Sequence, residues 1–234
     1  MKQYQYLLFD ADNTLFDFTK AEYLSFRDMC SACNVSYSEE LYEQYSAIND
    51  RLWKLLEKGG IKLDVLKIER FRELLIKIGF ADDEMTHTKA IEMRDSYMTN
   101  LASQTCLIDG AEDICRKLSQ KYDLYIVTNG ISKIQRSRFV KSVLTPYFRD
   151  LFISEEIGAG KPSPEYYAHV LRTIGCTEKR AYLAIGDSLT SDCAGAIAYG
   201  LDICYFNPAG DRSSVSLPLT YTIRTLSELE AILL

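Results

Sequence analysis

Several features that define large classes of proteins are missing from this chain. It has no long uncharged apolar run, although 47% of its residues are hydrophobic, so no membrane-spanning helix is expected. The N-terminus resembles a strand and carries no signal-peptide pattern, which predicts a cytoplasmic protein. Basic residues are outnumbered, with 27 Lys and Arg against 33 Asp and Glu, and the net charge of −6 argues against general nucleic-acid binding.

Cysteine is present but lacks the pattern of a disulfide framework or a zinc site. The chain has seven cysteines, an odd number scattered along its length, which predicts reduced thiols that pack as small hydrophobic side chains. Cys30 and Cys33 form a C-x-x-C motif, but it follows no predicted strand and has no second Cys or His pair nearby. We interpret this motif as packing.

Two carboxylates directly follow the first apolar run. Tyr6–Phe9 is short and rich in aliphatic and aromatic residues, so it predicts a buried strand that ends just before Asp10 and Asp12. In open parallel α/β sheets, this carboxyl end of the strand is where ligands bind. Carboxylates so close together repel each other unless a cation neutralises them or they perform different tasks. A solvated acidic turn is the alternative interpretation.

Two later segments offer groups that bind anions. Thr128 and Asn129 end an apolar run, and a hydroxyl with backbone N–H groups at a strand end can cradle a phosphate. Lys161 follows two glycines and precedes Pro162, which restricts its backbone conformation. A lysine held in this way can offer an anion a positive charge at a fixed position. Each segment alone is also typical of an ordinary turn or a solvated loop.

A third segment supplies further carboxylates. Asp187 follows another apolar strand, and Asp192 lies about one turn into a helical segment rich in small residues. Helix capping would explain these acids equally well if they stood alone. Taken together, however, the residues that follow the predicted strands include three acids, a hydroxyl and a lysine. Mg²⁺-assisted phosphoryl transfer through an aspartyl-phosphate requires this set of groups.

The order and spacing of these motifs resemble the haloacid dehalogenase superfamily. The matching motifs are Asp-x-Asp-x-Thr at 10–14, Thr128, Lys161 and Gly-Asp-x-x-x-x-Asp at 186–192. Within the superfamily, the chain most resembles the YjjG-like pyrimidine 5′-nucleotidases, in the segments 9–16, 45–53, 128–131 and 153–162.

The resemblance implies a catalytic role for three residues. Asp10 would be the nucleophile that becomes phosphorylated. Asp12 would protonate the leaving alkoxide and later deprotonate the attacking water. Lys161 would offset the charge of the nucleophile and the phosphate. An acid at position 12 argues for a phosphate ester rather than a halide, because a halide leaves without protonation.

The resemblance also implies the binding groups. Thr128 and the amide of Asn129 would hold the phosphoryl oxygens. Asp10, the backbone carbonyl of Asp12 and Asp187 would bind Mg²⁺, with Asp192 in support. This set agrees with the preference of Mg²⁺ for oxygen ligands and for only one or two carboxylates.

The implied fold is α/β, a Rossmann-like parallel-sheet core with an inserted helical cap of the C1 type. The core would comprise residues 1–16 and 101–234, and the cap 17–100, where apolar residues recur at helical spacing. In the cap, Asn49 and Trp53 are candidate contacts for a nucleobase or sugar. The same periodicity is equally typical of a core face.

The leading functional hypothesis is a Mg²⁺-dependent phosphomonoesterase for nucleoside 5′-monophosphates. Phosphoglycolate or sugar phosphates are alternative substrates, and a mutase or a non-catalytic binding protein are alternative functions. No motif carboxylate or lysine is missing, which disfavours a non-catalytic protein. The expected partner is therefore a small phosphorylated metabolite, with neither nucleic acid nor membrane involved and the oligomeric state left open.

Overall fold

The chain forms two compact units. The computed structural model describes residues 4–210 and 216–234. The core unit comprises Met1–Phe18 and Thr105–Leu234, and the helical unit comprises Thr19–Gln104. The boundaries expected from the sequence are 1–16 and 101–234 for the core and 17–100 for the inserted cap.

The core unit is built on a parallel sheet. Within the described residues it has six strands, in the spatial order β3-β2-β1-β4-β5-β6, and every neighbouring pair is parallel. The strands are β1 (Tyr6–Phe9), β2 (Asp123–Thr128), β3 (Phe148–Ile153), β4 (Tyr182–Gly186), β5 (Asp202–Phe206) and β6 (Tyr221–Ile223). The predicted Rossmann-like α/β fold class is confirmed.

In the core unit helices alternate with strands, whereas in the helical unit the helices follow one another directly along the chain. Those assigned in the described chain are α1 (Phe18–Ala32), α2 (Glu39–Glu57), α3 (Leu63–Lys77), α4 (Glu84–Leu101), α5 (Ala111–Leu118), α6 (Ser132–Lys141), α7 (Ser154–Ile157), α8 (Pro164–Ile174), α9 (Ala194–Tyr199) and α10 (Leu229–Leu233). Short 3₁₀ turns occur at Thr145–Tyr147, Lys179–Ala181 and Leu226–Glu228, and a π-helical turn at Leu189–Cys193.

The central position of β1 explains its composition. Its neighbours are β2 and β4, so that Phe9 pairs with both Ile126 and Ile185. A parallel strand covered on both faces is a continuous apolar run, and Phe9 is fully buried. The strand order reverses between β1 and β4, and such a reversal opens a ligand-binding crevice at the carboxyl ends of the strands. The fold therefore brings the residues after β1 and β4 together at this edge.

The helical unit has its own aromatic core. The ring of Tyr45 on α2 stacks between Phe26 on α1, at 4.5 Å, and Phe71 on α3, at 5.4 Å. Tyr97 on α4 completes the cluster, and all four side chains are fully buried. The Ser38 side chain caps α2 by accepting a hydrogen bond from the Leu41 amide. Apolar packing of four helices thus stabilises this unit.

Two further features concern the chain terminus and the cysteines. Thr225 and Glu228 form a capping box at the start of the 3₁₀ turn that leads into α10. All seven cysteines are free thiols, and burial raises the pKa of the Cys30 thiol to about 12. Across the residues that the structure describes, none of the helices combines the length and the apolar character needed to traverse a lipid bilayer.

Candidate active site

Lys161 is the centre of a buried ionic cluster at the carboxyl edge of the sheet. Its ammonium donates hydrogen bonds to Asp10 Oδ1 at 2.6 Å, to Asp192 Oδ1 at 2.7 Å and to the Val127 carbonyl at 2.8 Å. Lys161 and both carboxylates are buried. Burial alone would lower the pKa of Lys161, but attraction by Asp10 and Asp192 outweighs it and raises that pKa well above the usual value. Lys161 is therefore held as a cation.

Asp187 is the third carboxylate of the cluster. It directly follows β4, and its Oδ1 accepts a hydrogen bond from Thr14 Oγ1 at 3.2 Å. Thr14 reaches it because Asn13 adopts the left-handed conformation, with φ 61°, which asparagine tolerates better than most residues. The turn at 12–14 thus connects the end of β1 to the end of β4.

The three carboxylates lie close enough to share one cation. Oxygen atoms of Asp10, Asp187 and Asp192 lie within 4.8 Å of one another. Burial raises the pKa of Asp187 to about 7, with a further contribution from Asp192. Burial also raises the pKa of Asp10 well above its usual range; Lys161 opposes this shift, while Asp192 and Asp187 add to it.

A divalent cation fits this set of side chains. Three ionised carboxylates and one ammonium sum to a charge of −2, and the donor atoms are all hard oxygens. Burial is the main cause of the raised pKa values of Asp10 and Asp187, and repulsion from the neighbouring carboxylates adds to it. The donor set therefore suits Mg²⁺ in both charge and chemistry.

Glycine is required where Asp192 approaches the sheet. A Cβ at Gly186 would lie 2.4 Å from Asp192 Cγ, which is an impossible contact. The carboxylate is fixed there by the Ser188 amide, which donates to Asp192 Oδ2 at 3.0 Å. The glycine that precedes Asp187 in the sequence motif therefore makes room for the second carboxylate of the same motif.

Thr128 and Asn129 lie beside Lys161. Thr128 is buried at the end of β2, and its Oγ1 accepts a hydrogen bond from the Gly130 amide at 3.0 Å. The Asn129 side chain donates to the Lys161 carbonyl at 2.7 Å and accepts from the Lys161 amide at 2.8 Å. These paired bonds fasten the Lys161 loop to the end of β2, a function of Asn129 that the sequence did not reveal.

Asp12 turns towards α6 rather than towards Lys161. Gln135 Nε2 donates to Asp12 Oδ2, and Arg138 Nη1 donates to Asp12 Oδ1, each at 2.5 Å. Sequence reasoning missed both partners, which lie 123 and 126 residues from Asp12. The available signal was weak: a glutamine and an arginine three positions apart, and therefore on one face of a helix.

The two candidate residues of the helical unit have different surroundings. Asn49 on α2 is buried, donates to Glu22 Oε1 at 2.9 Å and accepts from Arg70 Nη1 at 3.1 Å. Trp53, one turn later, is partly exposed. Asn49 thus bridges two buried charged side chains within this unit, and contact of either residue with a substrate remains a prediction.

A family model and individual relatives match the chain over most of its length. The model of the haloacid dehalogenase-like hydrolase family matches residues 4–200. The magnesium-bound crystal structure of the HAD-hydrolase YfnB from Bacillus subtilis is 39% identical and superposes with a TM-score of 0.90, covering 99% of each chain.

Two of the curated relatives are named as pyrimidine 5′-nucleotidases. The pyrimidine 5′-nucleotidase PynA of Streptococcus pneumoniae is 34% identical over 97% of this chain and 93% of its own length. The pyrimidine 5′-nucleotidase YjjG of Escherichia coli is 27% identical over 99% of this chain and 98% of its own length.

Proposed function

Because the chain belongs to the haloacid dehalogenase-like hydrolase family, we propose that it is a Mg²⁺-dependent phosphomonoesterase that hydrolyses nucleoside 5′-monophosphates through an aspartyl-phosphate. The observation that carries this proposal is the buried cluster in which Lys161 contacts Asp10 and Asp192 while Asp187 lies alongside. Phosphoryl transfer depends on positioning and charge neutralisation, and this cluster provides groups for both.

The substrate class is supported by sequence similarity. PynA and YjjG each align over more than nine-tenths of their own length, so the similarity extends through the helical unit. The predicted resemblance to YjjG-like nucleotidases is confirmed by these relatives. We propose that the helical unit acts as the cap that selects the leaving nucleoside, with Asn49 and Trp53 as candidate contacts.

In the first half-reaction, Asp10 attacks the phosphorus atom. A bond forms between an Asp10 carboxylate oxygen and phosphorus while the ester P–O bond breaks, and the departing alkoxide takes a proton from Asp12. Lys161, at 2.6 Å from Asp10, balances negative charge as the carboxylate and the phosphate meet. Thr128 and the backbone of Asn129 would hold the phosphoryl oxygens at the end of β2.

In the second half-reaction, water cleaves the aspartyl-phosphate. The water oxygen bonds to phosphorus, its proton passes to Asp12, and the bond from phosphorus to Asp10 breaks to regenerate the carboxylate. Inorganic phosphate is released. Asp12 thereby returns to its starting protonation state, so one residue serves as acid and then as base.

Mg²⁺ would be held by Asp10 and Asp187, with Asp192 in support and the Asp12 carbonyl as a further predicted ligand. When bound, it supplies positive charge that stabilises the phosphoryl group in the transition state. The charge of −2 on the carboxylates and Lys161 is what a divalent cation offsets.

The substrate proposal predicts a ranking that a panel can measure. We expect kcat/KM for nucleoside 5′-monophosphates to exceed that for phosphoglycolate and hexose phosphates by about tenfold or more, because the cap must discriminate the leaving group. Phosphate release would be measured for each substrate with Mg²⁺ and with excess chelator. Mg²⁺-dependent turnover that favours the small esters would overturn the nucleotidase proposal and retain the phosphatase chemistry.

A further inference from the structure

Both carboxylate oxygens of Asp12 are held by one face of α6. Gln135 binds Oδ2 and Arg138 binds Oδ1, each at 2.5 Å. We propose that Gln135 and Arg138 form a clamp that positions Asp12 as the base for hydrolysis of the phosphoenzyme. This inference rests on the proposed function, because it presupposes that Asp10 becomes phosphorylated.

The clamp is rigid because it is buried. Arg138 is completely inaccessible to solvent, and its guanidinium lies over the ring of Phe16, with centroid 4.7 Å away. Gln135 is 3% exposed. A buried guanidinium requires a counter-charge, and Asp12 supplies one while keeping 24% of its own side chain exposed. The two partners are thus buried, whereas the Asp12 side chain remains partly accessible.

The phosphate-binding turn is shaped to admit this clamp. A Cβ at Gly130 would lie 2.1 Å from Gln135 Nε2, so a side chain at position 130 would force Gln135 to move from its observed position. Gly130 directly follows Thr128 and Asn129, which the sequence assigned to the phosphate. The turn after β2 therefore offers groups for the phosphate at Thr128 and Asn129, and at Gly130 it leaves room for Gln135.

The clamp leaves part of the Asp12 carboxylate available for catalysis. An ionised carboxylate offers about four lone-pair positions, and the clamp occupies one on each oxygen. Arg138 has no acceptor atom and Gln135 presents its amide N–H, so both partners donate to the Asp12 carboxylate. The remaining lone pairs can accept the proton of the water that attacks phosphorus.

The two half-reactions respond differently to loss of the clamp. Formation of the phosphoenzyme from p-nitrophenyl phosphate needs little help from Asp12, because p-nitrophenolate leaves without protonation. Hydrolysis of the phosphoenzyme needs Asp12 as the base, whichever substrate formed the phosphoenzyme. A clamp that acts on the second step should therefore alter kcat without altering kcat/KM for this substrate.

The experiment compares Gln135→Met and Arg138→Lys with the wild type, using p-nitrophenyl phosphate and Mg²⁺. We expect kcat to fall about 10- to 100-fold in both variants, a part of the usual contribution of general base catalysis. We expect kcat/KM to stay within about threefold, and a burst of roughly one p-nitrophenolate per enzyme to precede slow turnover. Mass spectrometry of acid-quenched variant should find the phosphoryl group accumulated on the Asp10 peptide.

The matched control is Arg136→Met, on the same helix. Arg136 is exposed and pairs with Glu156, so its replacement should leave both kinetic constants within about twofold of wild type. Equal losses of kcat and kcat/KM in the clamp variants, or an unchanged kcat in an active, folded Gln135→Met protein, would overturn the clamp alone. A wild type without any Mg²⁺-dependent phosphatase turnover would instead overturn the proposed function.

Discussion

Asp10→Asn is expected to reduce phosphatase activity by roughly 10⁴-fold or more, the scale associated with loss of a covalent nucleophile. The amide that replaces the carboxylate is a poor nucleophile, and no other carboxylate directly follows β1 at the same point. The fold should survive, because Lys161 keeps its bonds to Asp192 Oδ1 at 2.7 Å and to the Val127 carbonyl at 2.8 Å. Steady-state phosphate release and thermal unfolding would be measured on the same preparation.

The control for this variant is Asp123→Asn, at the opposite end of β2. Asp123 is partly exposed and binds Arg149, so its replacement should change activity by less than about twofold. Persistent turnover in a folded Asp10→Asn protein, above the background of the control preparation, would exclude the covalent mechanism. Loss of activity accompanied by unfolding would point to a structural cause for that variant.

Lys161→Met is expected to affect both catalysis and stability. Removing the ammonium leaves Asp10 and Asp192 buried without their common counter-ion, and breaking a buried ion pair in this way costs about 3–5 kcal/mol in the free energy of unfolding. Activity should fall by about 10²- to 10³-fold, because one fixed positive charge no longer stabilises the transition state. Denaturant unfolding and steady-state kinetics measure the two effects.

Lys117→Met provides the comparison. Lys117 is also ion-paired, to Glu230, but both side chains are about two-fifths exposed, so the substitution should cost no more than about 1 kcal/mol. Equal stability losses in the two variants would contradict the account of Lys161 as the centre of a buried cluster. Full activity in Lys161→Met would remove it from the proposed mechanism.

The strand-end carboxylates could be predicted because their signal is local. Asp10 and Asp187 each directly follow a short apolar run, and the parallel arrangement of β1 and β4 then places both at one edge. Lys161 was identified by its motif, and the structure adds that it contacts Asp10 across 151 residues of sequence. A sequence pattern can thus name the participants when the fold class determines where strand ends meet.

The partners of Asp12 could not be predicted in the same way. Gln135 and Arg138 belong to a helix whose composition is mostly polar, and nothing near them marks a buried charge. Their contacts depend on the distance between α6 and the turn after β1, which is a property of tertiary packing. Long-range hydrogen bonds of this kind leave no periodic pattern in the sequence.

In the helical unit, the spacing of apolar residues indicated helices but did not show which of these residues are buried. Ile48, Leu52 and Leu55 recur at helical spacing, yet Ile48 and Leu52 are buried while Leu55 remains 37% exposed. Tyr45, within the segment that resembles the nucleotidases, is fully buried between two aromatic rings. A core face and a binding surface share the same spacing, so the sequence could not separate these cases.

The most direct test of the central claim is capture of the phosphoenzyme during turnover of a nucleoside 5′-monophosphate. Wild-type protein would be mixed with Mg²⁺ and the nucleotide, quenched in acid within a single turnover, digested and analysed by mass spectrometry. The proposed mechanism predicts a phosphoryl group on the peptide that contains Asp10, absent when chelator replaces Mg²⁺. Phosphate release that proceeds with this peptide unmodified, or with the label on another residue, would contradict it.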